Sequence, residues 1–450
     1  KKDLKDYYIH NRLIAIEQFD DLRRDEYDIL NDVQKEKYFN LSENSTIEKM
    51  KNALYKAIIF KDFNFVKKII EKGNKAFRSR INKYEIDTSI KTGNLDIVKY
   101  IVDVVTKNSN INLENDGTLA STAAIYNFPD IVKYLIDEKG VEIEPDTVSN
   151  ACVNGNIDLV KYLIDEKGAE IRYFYLGSAA RSGNFNLVKY LMDEKGVKIK
   201  IDDDDGWNDT FVIQAVVGNN IDIVKYFVDE KGLEIPKNII GYIVGDNVDI
   251  VKYFVKKGAK PDMIDVDKKG KEGQINIIKY FVDELGIEIP VYSMYNSIRG
   301  GNHESVVKYF LEKGANTTSS MSLAAEYGYL NIVKLFDENY LFHYNDAIKK
   351  AAEFNHIDIV KHIVKVLETK APAKIQKAID IAVNGAIHKC NFEIIKYLIE
   401  QKNASINNCS ILKPAENCNL QIVRYLIEKG IHIDPNAITV ANRSRCHNVA

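Results

Sequence analysis

Hydrophobic positions along the chain fall into short helical stripes that recur. From Gly155 to Gly168 the sequence reads Gly-Asn-Ile-Asp-Leu-Val-Lys-Tyr-Leu-Ile-Asp-Glu-Lys-Gly. Ile157, Val160, Leu163 and Ile164 stand at i, i+3, i+6 and i+7, the spacing of one face of an α-helix. Asn156 is placed to cap the first free amides, Asp158 puts negative charge beside the positive helix end, and Gly168 supplies a left-handed residue that stops the helix. Thirteen copies of this pattern set a basic residue at Lys67, Lys99, Lys133, Lys161, Lys189, Lys225, Lys252, Lys279, Lys308, Lys334, Lys361, Lys396 and Arg424. One such helix cannot bury its own stripe, so the copies must stack into a continuous core.

From about residue 47 the predicted unit is two helices. A shorter segment with small residues at its end precedes each hallmark helix, as at Ala123-Ala124, Ala151, Ala179-Ala180, Ala215, Ala324-Ala325 and Ala351-Ala352. Small side chains there let neighbouring units approach closely. The connector carries Gly93, Gly155, Gly183, Gly273 and Gly328 in five copies and Asn127, Asn219, Asn247, Asn302 and Asn355 in five more. Those residue types tolerate positive φ best, so a tight turn is expected. Lys61, Cys390 and Cys418 occupy it elsewhere. Residues 1–46 do not fit the repeat. Leu13, Ile14, Ile16, Phe19 and Leu22 are spaced for a helix, which predicts a helical N-terminal cap or a docking segment. The last unit starts at about Asn436 and stops at Ala450, as a half-repeat cap or a truncation.

A helix, a Gly-Asn turn, a second helix reading Ile-Val-Lys-Tyr-Leu, and a closing Gly-Ala or Gly-Val together resemble ankyrin repeats. Asp116-Gly117-Thr118-Leu119-Ala120-Ser121-Thr122-Ala123-Ala124 is the stretch most similar to that family's opening segment. The resemblance covers residues 47–450, as an array of about 13–14 units. The Tyr-, Asn- and Lys-rich wording is similar to the large ankyrin families of amoeba-infecting giant viruses. The resemblance implies an all-α ankyrin-repeat helical solenoid. The sequence departs from it in period: steps between hallmark residues are mostly 26 to 29 against about 33 in the family. The Thr-Pro-Leu-His opening is nearly absent. Many units are therefore expected to have shortened β-hairpin fingers.

Composition narrows the picture. With 62 basic and 65 acidic residues and a formal net charge of -3, no global attraction to nucleic acid or membrane follows. Five cysteines without regular spacing suit a reducing compartment with free thiols. No signal peptide or spanning segment is apparent, which predicts an intracellular protein, in host cytoplasm or a virion, and not a secreted one. The numbering begins at Lys1-Lys2, so residues before it are not excluded.

The hallmark basic row invites an anion-binding reading. Eleven of the thirteen copies, however, carry Asp or Glu four residues later, as in Lys133/Asp137, Lys161/Asp165 and Lys225/Asp229. Such pairs are expected to neutralise each other on a solvated helix face. Tyr follows the hallmark residue in ten copies, read as a packing ladder and not a base-stacking platform. Binding is then expected where copies differ. The candidate protein-binding residues are Arg172, Tyr173, Phe174 and Tyr175 in one unit, Tyr292, Met294 and Tyr295 in another, and Trp207 after the run Asp202-Asp203-Asp204-Asp205-Gly206. Aromatic plus Arg composition is what interface anchors favour. The Asp run lacks the alternating ligands and closing Glu of an EF-hand. Cys390, Cys409, Cys418 and Cys446 with His388, His432 and His447 come nearest to a metal cluster, but Cys390 and Cys418 sit one repeat apart, too far for a shared zinc ion. No Walker A, GxGxxG, HExxH or nucleophile-elbow pattern appears.

The expected function is therefore a non-enzymatic scaffold that binds a protein on the concave face of the solenoid, without cofactor, metal, nucleic acid or membrane, and as a monomer. By resemblance, a host factor is the implied partner. The alternatives are a structural component of a virus particle and the interaction module of an enzyme whose catalytic domain precedes residue 1.

Overall fold

The computed structural model describes residues 30, 32–39, 41, 45–108, 112–198, 207–336 and 343–444. Every element among them is helical. The chain divides into two compact units, Lys1–Pro236 and Lys237–Ala450.

In the first unit, the helices Ile47–Ile59, Lys83–Thr92, Thr118–Ile125, Pro145–Val153, Tyr175–Arg181 and Trp207–Val217 pack each against the next. A second helix follows each: Phe63–Lys72, Leu95–Asn108, Pro129–Asp137, Ile157–Lys161, Phe185–Lys189 and Ile221–Lys225. The last three run on into wider π-helical turns, Tyr162–Glu166, Tyr190–Glu194 and Tyr226–Glu230. The second unit repeats the plan. Its first helices are Ile239–Tyr242, Met263–Glu272, Ser293–Gly300, Ser320–Glu326, Tyr344–Glu353, Pro372–Lys389, Leu412–Glu416 and Asn436–Arg443, again packed in succession.

The sequence explains this local structure closely. Ala123, Ala124, Ala151, Ala179, Ala180, Ala324, Ala325, Ala351 and Ala352 are wholly buried, so the first helices meet through methyl groups. On the second helix Val160 and Leu163 are wholly buried and Ile164 nearly so. Leu159 joins them at the core, while Ile157 is only half-buried. Asn156 caps as expected, its side chain accepting from the Leu159 amide at 3.0 Å. Gly168 has φ 71°, and the amide of Ala169 reaches back to the Leu163 carbonyl at 3.0 Å, one residue farther than the closing bond of a Schellman turn spans, because the helix ends in the wider π-helical turn Tyr162–Glu166.

The turn between the helices is left-handed at Lys61, Gly93, Asn127, Gly155, Gly183, Asn219, Gly273, Gly328, Asn355, Cys390 and Cys418. Two expected positions differ. Asn247 has φ -89° and is a cap, accepting from the amides of Asp249 and Ile250, while Gly245 takes the left-handed place. Asn302 is not left-handed; it follows the extended Gly301, φ 163°. The linkers between units are short, and no strand occurs among the described residues. Among the described residues one finger-like bond joins consecutive linkers, Glu142 amide to Glu114 carbonyl at 2.8 Å.

Leu13, Ile14, Ile16, Phe19 and Leu22 of the expected N-terminal segment lie outside the described residues. Its helix Asp32–Phe39 is described: Phe39 is buried, its ring 5.3 Å from that of Phe65, and Lys35 pairs with Asp62 at 2.7 Å. No helix among the described residues is long and apolar enough to cross a membrane.

Candidate protein-binding surface

Two faces of the repeats are chemically different. On the second-helix face, the hallmark tyrosine of several repeats donates its hydroxyl to the acidic residue of the repeat before it. The distances are 2.7 Å for Tyr162 to Asp137, 2.7 Å for Tyr190 to Asp165, 2.7 Å for Tyr226 to Asp193 and 2.9 Å for Tyr309 to Asp283. The same carboxylates take the lysine that ends the later helix: Lys167 with Asp137 at 2.5 Å, Lys231 with Asp193 at 3.0 Å, Lys313 with Asp283 at 2.7 Å, and likewise Lys195 with Asp165.

The rings of Tyr162, Tyr190 and Tyr309 are also held between two ammonium groups, and that of Tyr226 has Lys231 over it at 4.7 Å. Lys133 and Lys167 stand 5.1 and 5.5 Å from the Tyr162 centroid, and Lys161 and Lys195 stand 5.1 and 5.5 Å from that of Tyr190, within cation–π range. Tyr162, Tyr190 and Tyr226 are buried. Burial raises the phenol pKa of Tyr134 to about 12, and burial followed by the Asp137 bond raises that of Tyr162 further. Lys167 first, then Tyr162, hold Asp137 below the usual carboxylate range.

This corrects the pairing expected within each helix. Asp137 and Asp165 do not turn back to Lys133 and Lys161; they reach forward to the next repeat, because a tyrosine hydroxyl and an ammonium from that repeat converge on each carboxylate. The i,i+4 pair forms at Lys67 and Glu71, 3.9 Å apart. Lys252, which has no acidic residue four positions on, pairs with Glu284 of the following repeat at 3.2 Å. The ladder thus spends its charges and hydroxyls on joining repeats.

The N-terminal ends of the first helices are different. The turn before Tyr175–Arg181 is closed by the amides of Tyr175 and Leu176 bonding the carbonyls of Arg172 and Tyr173, at 3.2 and 3.1 Å. It turns Tyr175 inward, where it is buried, and leaves Tyr173 50% exposed with Ile171 at 39%. Phe174 is half-buried between them, its centroid 6.0 Å from Tyr173 and 4.8 Å from Tyr175. Arg172 is exposed and pairs with Glu170 at 3.0 Å. The equivalent stretch of the preceding repeat carries Glu142, Glu144 and Asp146. Of the residues expected to bind, Arg172, Tyr173 and Phe174 therefore share one surface, and Tyr175 belongs to the core.

The second unit divides in the same way. Tyr292 is 70% exposed and Tyr295 half-buried, whereas Met294 is fully buried because it lies on the inward stripe of Ser293–Gly300 with Ile298. Exposed Met263 and Ile264 in the preceding repeat, and Val291 beside Tyr292, were not singled out from the sequence. The available signal was an apolar pair straight after the cap Asp262, where a polar first turn is usual. Trp207 opens the helix Trp207–Val217, but its side chain, like Asp202, Asp203, Asp204, Asp205 and Gly206, lies outside the described residues.

Among the described residues no group of three or more His, Cys, Asp or Glu side chains is placed to hold a metal ion. Cys446 and His447 lie outside them. Cys152, Cys390 and Cys409 are free thiols, and burial pushes the pKa of Cys152 up to about 12. Cys418 is disulfide-bonded, so the expectation that every cysteine is a free thiol does not hold.

A family model described as ankyrin repeats matches residues 88–175, 148–239 and 176–265. The chain is an all-α repeat solenoid, and its stretch 88–265 is similar to ankyrin repeats. A comparison with curated proteins finds no match. Among solved structures, the chain is similar to the pentatricopeptide repeat protein PPR10 from maize, with 12% identity over 90% of this chain and 66% of that one and a TM-score of 0.32. PPR10 in complex with an 18-nt PSAJ RNA element matches with 8% identity over 98% of this chain and 87% of that one, at a TM-score of 0.25.

Proposed function

We propose that the chain is a non-enzymatic scaffold that binds a protein partner at the N-terminal ends of its first helices, through the patch Ile171, Arg172, Tyr173 and Phe174. The observation that carries this reading is the contrast between the two faces. On the second-helix face Tyr162, Tyr190 and Tyr226 are buried and their hydroxyls are taken by carboxylates of the repeat before. At the first-helix ends, aromatic and aliphatic side chains are left in water with an arginine among them. Exposed aromatics with arginine are the anchors that protein interfaces favour. The helix that the turn opens, Tyr175–Arg181, packs between Pro145–Val153 and Trp207–Val217, so docking costs little ordering entropy. The similarity of 88–265 to ankyrin repeats supports the same reading, since that family generally mediates protein–protein interaction. The giant-virus resemblance of the wording makes a host-cell protein the first partner to seek, bound by a monomer.

The test is affinity capture from the native cell with the full chain and with Tyr173→Ala/Phe174→Ala. Specific partners are expected to fall to background with the variant, while its helical circular dichroism and melting stay unchanged. An identical capture profile from a folded variant would remove this patch. A chain that runs as an oligomer by light scattering would favour an assembly role instead.

A further inference from the structure

The repeat that opens the second unit departs from all its neighbours. Its first helix, Ile239–Tyr242, has 4 residues, against 10 in Met263–Glu272 and 8 in Ser293–Gly300. The backbone leaves the helix at Ile243, φ -66° and ψ 116°, and turns at Gly245, φ 69°. Ile239, Ile240 and Ile243 are buried, but Tyr242 and Val244 are 46% and 44% exposed. A helix this short leaves its carbonyls without helical partners.

The next repeat supplies what is missing. Lys268 donates to the Gly241 carbonyl at 2.5 Å, and Lys269 donates to the Ile243 carbonyl at 2.6 Å. Lys269 is wholly buried. It stands ten residues before its hallmark lysine, the position held by Ala123, Ala151, Ala179, Ala215, Ala324 and Ala351 in other repeats. Its length is accommodated where the truncated helix leaves space, and its charge is met by Glu272 at 3.0 Å. Gln274 bonds the same Glu272 oxygen at 2.9 Å. Asp246 in turn caps the following second helix, accepting from the amides of Asn276 and Ile277 at 2.9 and 3.0 Å, a task that Gln274 leaves undone.

Three apolar side chains and a set of polar fasteners therefore hold this segment. Burying an ammonium costs solvation that its partners must offset, so such a fastening adds less net stability than the methyl-to-methyl packing of the other repeats. In a linear array, the opening of each segment is governed by its own contacts.

We infer that residues 237–247 form a strap that opens locally ahead of the rest of the second unit and is closed by the Lys269 ammonium on the Ile243 carbonyl and Glu272. Opening uncovers Ile239, Ile240 and Ile243 together with the helix Met263–Glu272 that they cover.

Hydrogen exchange followed by mass spectrometry on the full chain tests this directly. In the wild type, peptides covering 237–247 are expected to exchange about 10-fold or more faster than peptides covering Ser293–Gly300 and Tyr344–Glu353. Lys269→Met, which keeps most of the side chain's length and removes its charge, is expected to accelerate exchange of 237–247 further and leave Tyr344–Glu353 unchanged. Lys268→Ala, at an exposed position, is expected to give a smaller acceleration confined to the same peptides. If Lys269→Met does not fold, the wild-type comparison and Lys268→Ala still decide. Equal protection of 237–247 and Ser293–Gly300 in the wild type overturns the strap, as does a Lys269→Met effect spread evenly through the second unit.

Discussion

Replacing Leu163 with Ala separates local from global cohesion in the first unit. The side chain is wholly buried, within the π-helical turn Tyr162–Glu166. Three carbon groups are lost, at about 0.8 kcal/mol each, or about 2.4 kcal/mol of transfer free energy. The void left by incomplete collapse brings comparable substitutions to about 2.7–5 kcal/mol. Because stability in a stacked array is a sum of repeat and neighbour terms, that loss is expected to fall on Pro145–Glu166 and the repeats on either side of it. At about 1.36 kcal/mol per factor of ten, amides there should exchange roughly 100- to 5,000-fold faster. Those of Ile47–Lys72, several repeats away in the same unit, should keep their wild-type protection. The assay is peptide-resolved hydrogen exchange near neutral pH. Equal loss of protection from Ile47 to Glu194 would show that the first unit opens in one step and would refute the nearest-neighbour reasoning.

Other expectations follow from the ladder and the turns. In a double-mutant cycle, Tyr190→Phe and Asp165→Asn should each destabilise the unit in urea unfolding and show a coupling of about 0.5 kcal/mol or more, since the hydroxyl donates to that carboxylate at 2.7 Å; strict additivity would deny the link between repeats. Gly168→Ala meets no atom within 4 Å but keeps φ at +71°, so it should cost about 1–2 kcal/mol. Gly183→Ala should cost more in the same measurement, because its Cβ would lie 2.9 Å from the Gly218 carbonyl oxygen. Asp137 is held below the usual range by Lys167 and Tyr162, Asp165 by Lys195 and Tyr190, and Asp283 by Lys313 and Tyr309. A carboxylate with a lowered folded pKa stabilises the fold above its unfolded value, about 3.9, and that contribution is lost as pH falls through the folded value. Thermal melts should therefore drop steeply below about pH 4, and Asp137→Asn/Asp165→Asn should flatten the drop. At the alkaline end, Tyr134, raised to about 12 by burial, favours the fold up to the ordinary phenol value near 10; its share is lost between there and about 12.

Much of the architecture was legible in the sequence because it is local. The i, i+3, i+6, i+7 stripe, the Asn156 cap and the Gly168 stop act within one helix and its ends, and repetition multiplied a signal that a single copy would carry weakly. The separation of Tyr173 from Tyr175 was not legible. Aromatic residues two positions apart look alike in composition, and the turn closed at Arg172 and Tyr173 decides which one faces the core. For the same reason Met294 was grouped with Tyr292 although only the tyrosine reaches solvent.

The sequence by itself determined the helical repeat, its small-residue contacts, its capped ends and the places where copies differ, all of which follow from the order of residues over short distances. Tertiary structure alone decided the partners of the charges. Asp137 has Lys133 four residues before it, yet it bonds Tyr162 and Lys167 of the next repeat. Lys269, in a position where other repeats have alanine, finds the Ile243 carbonyl of the repeat before. Which of two ammonium groups a carboxylate takes depends on how consecutive repeats pack, and that relation between repeats is written in no single stretch of the chain.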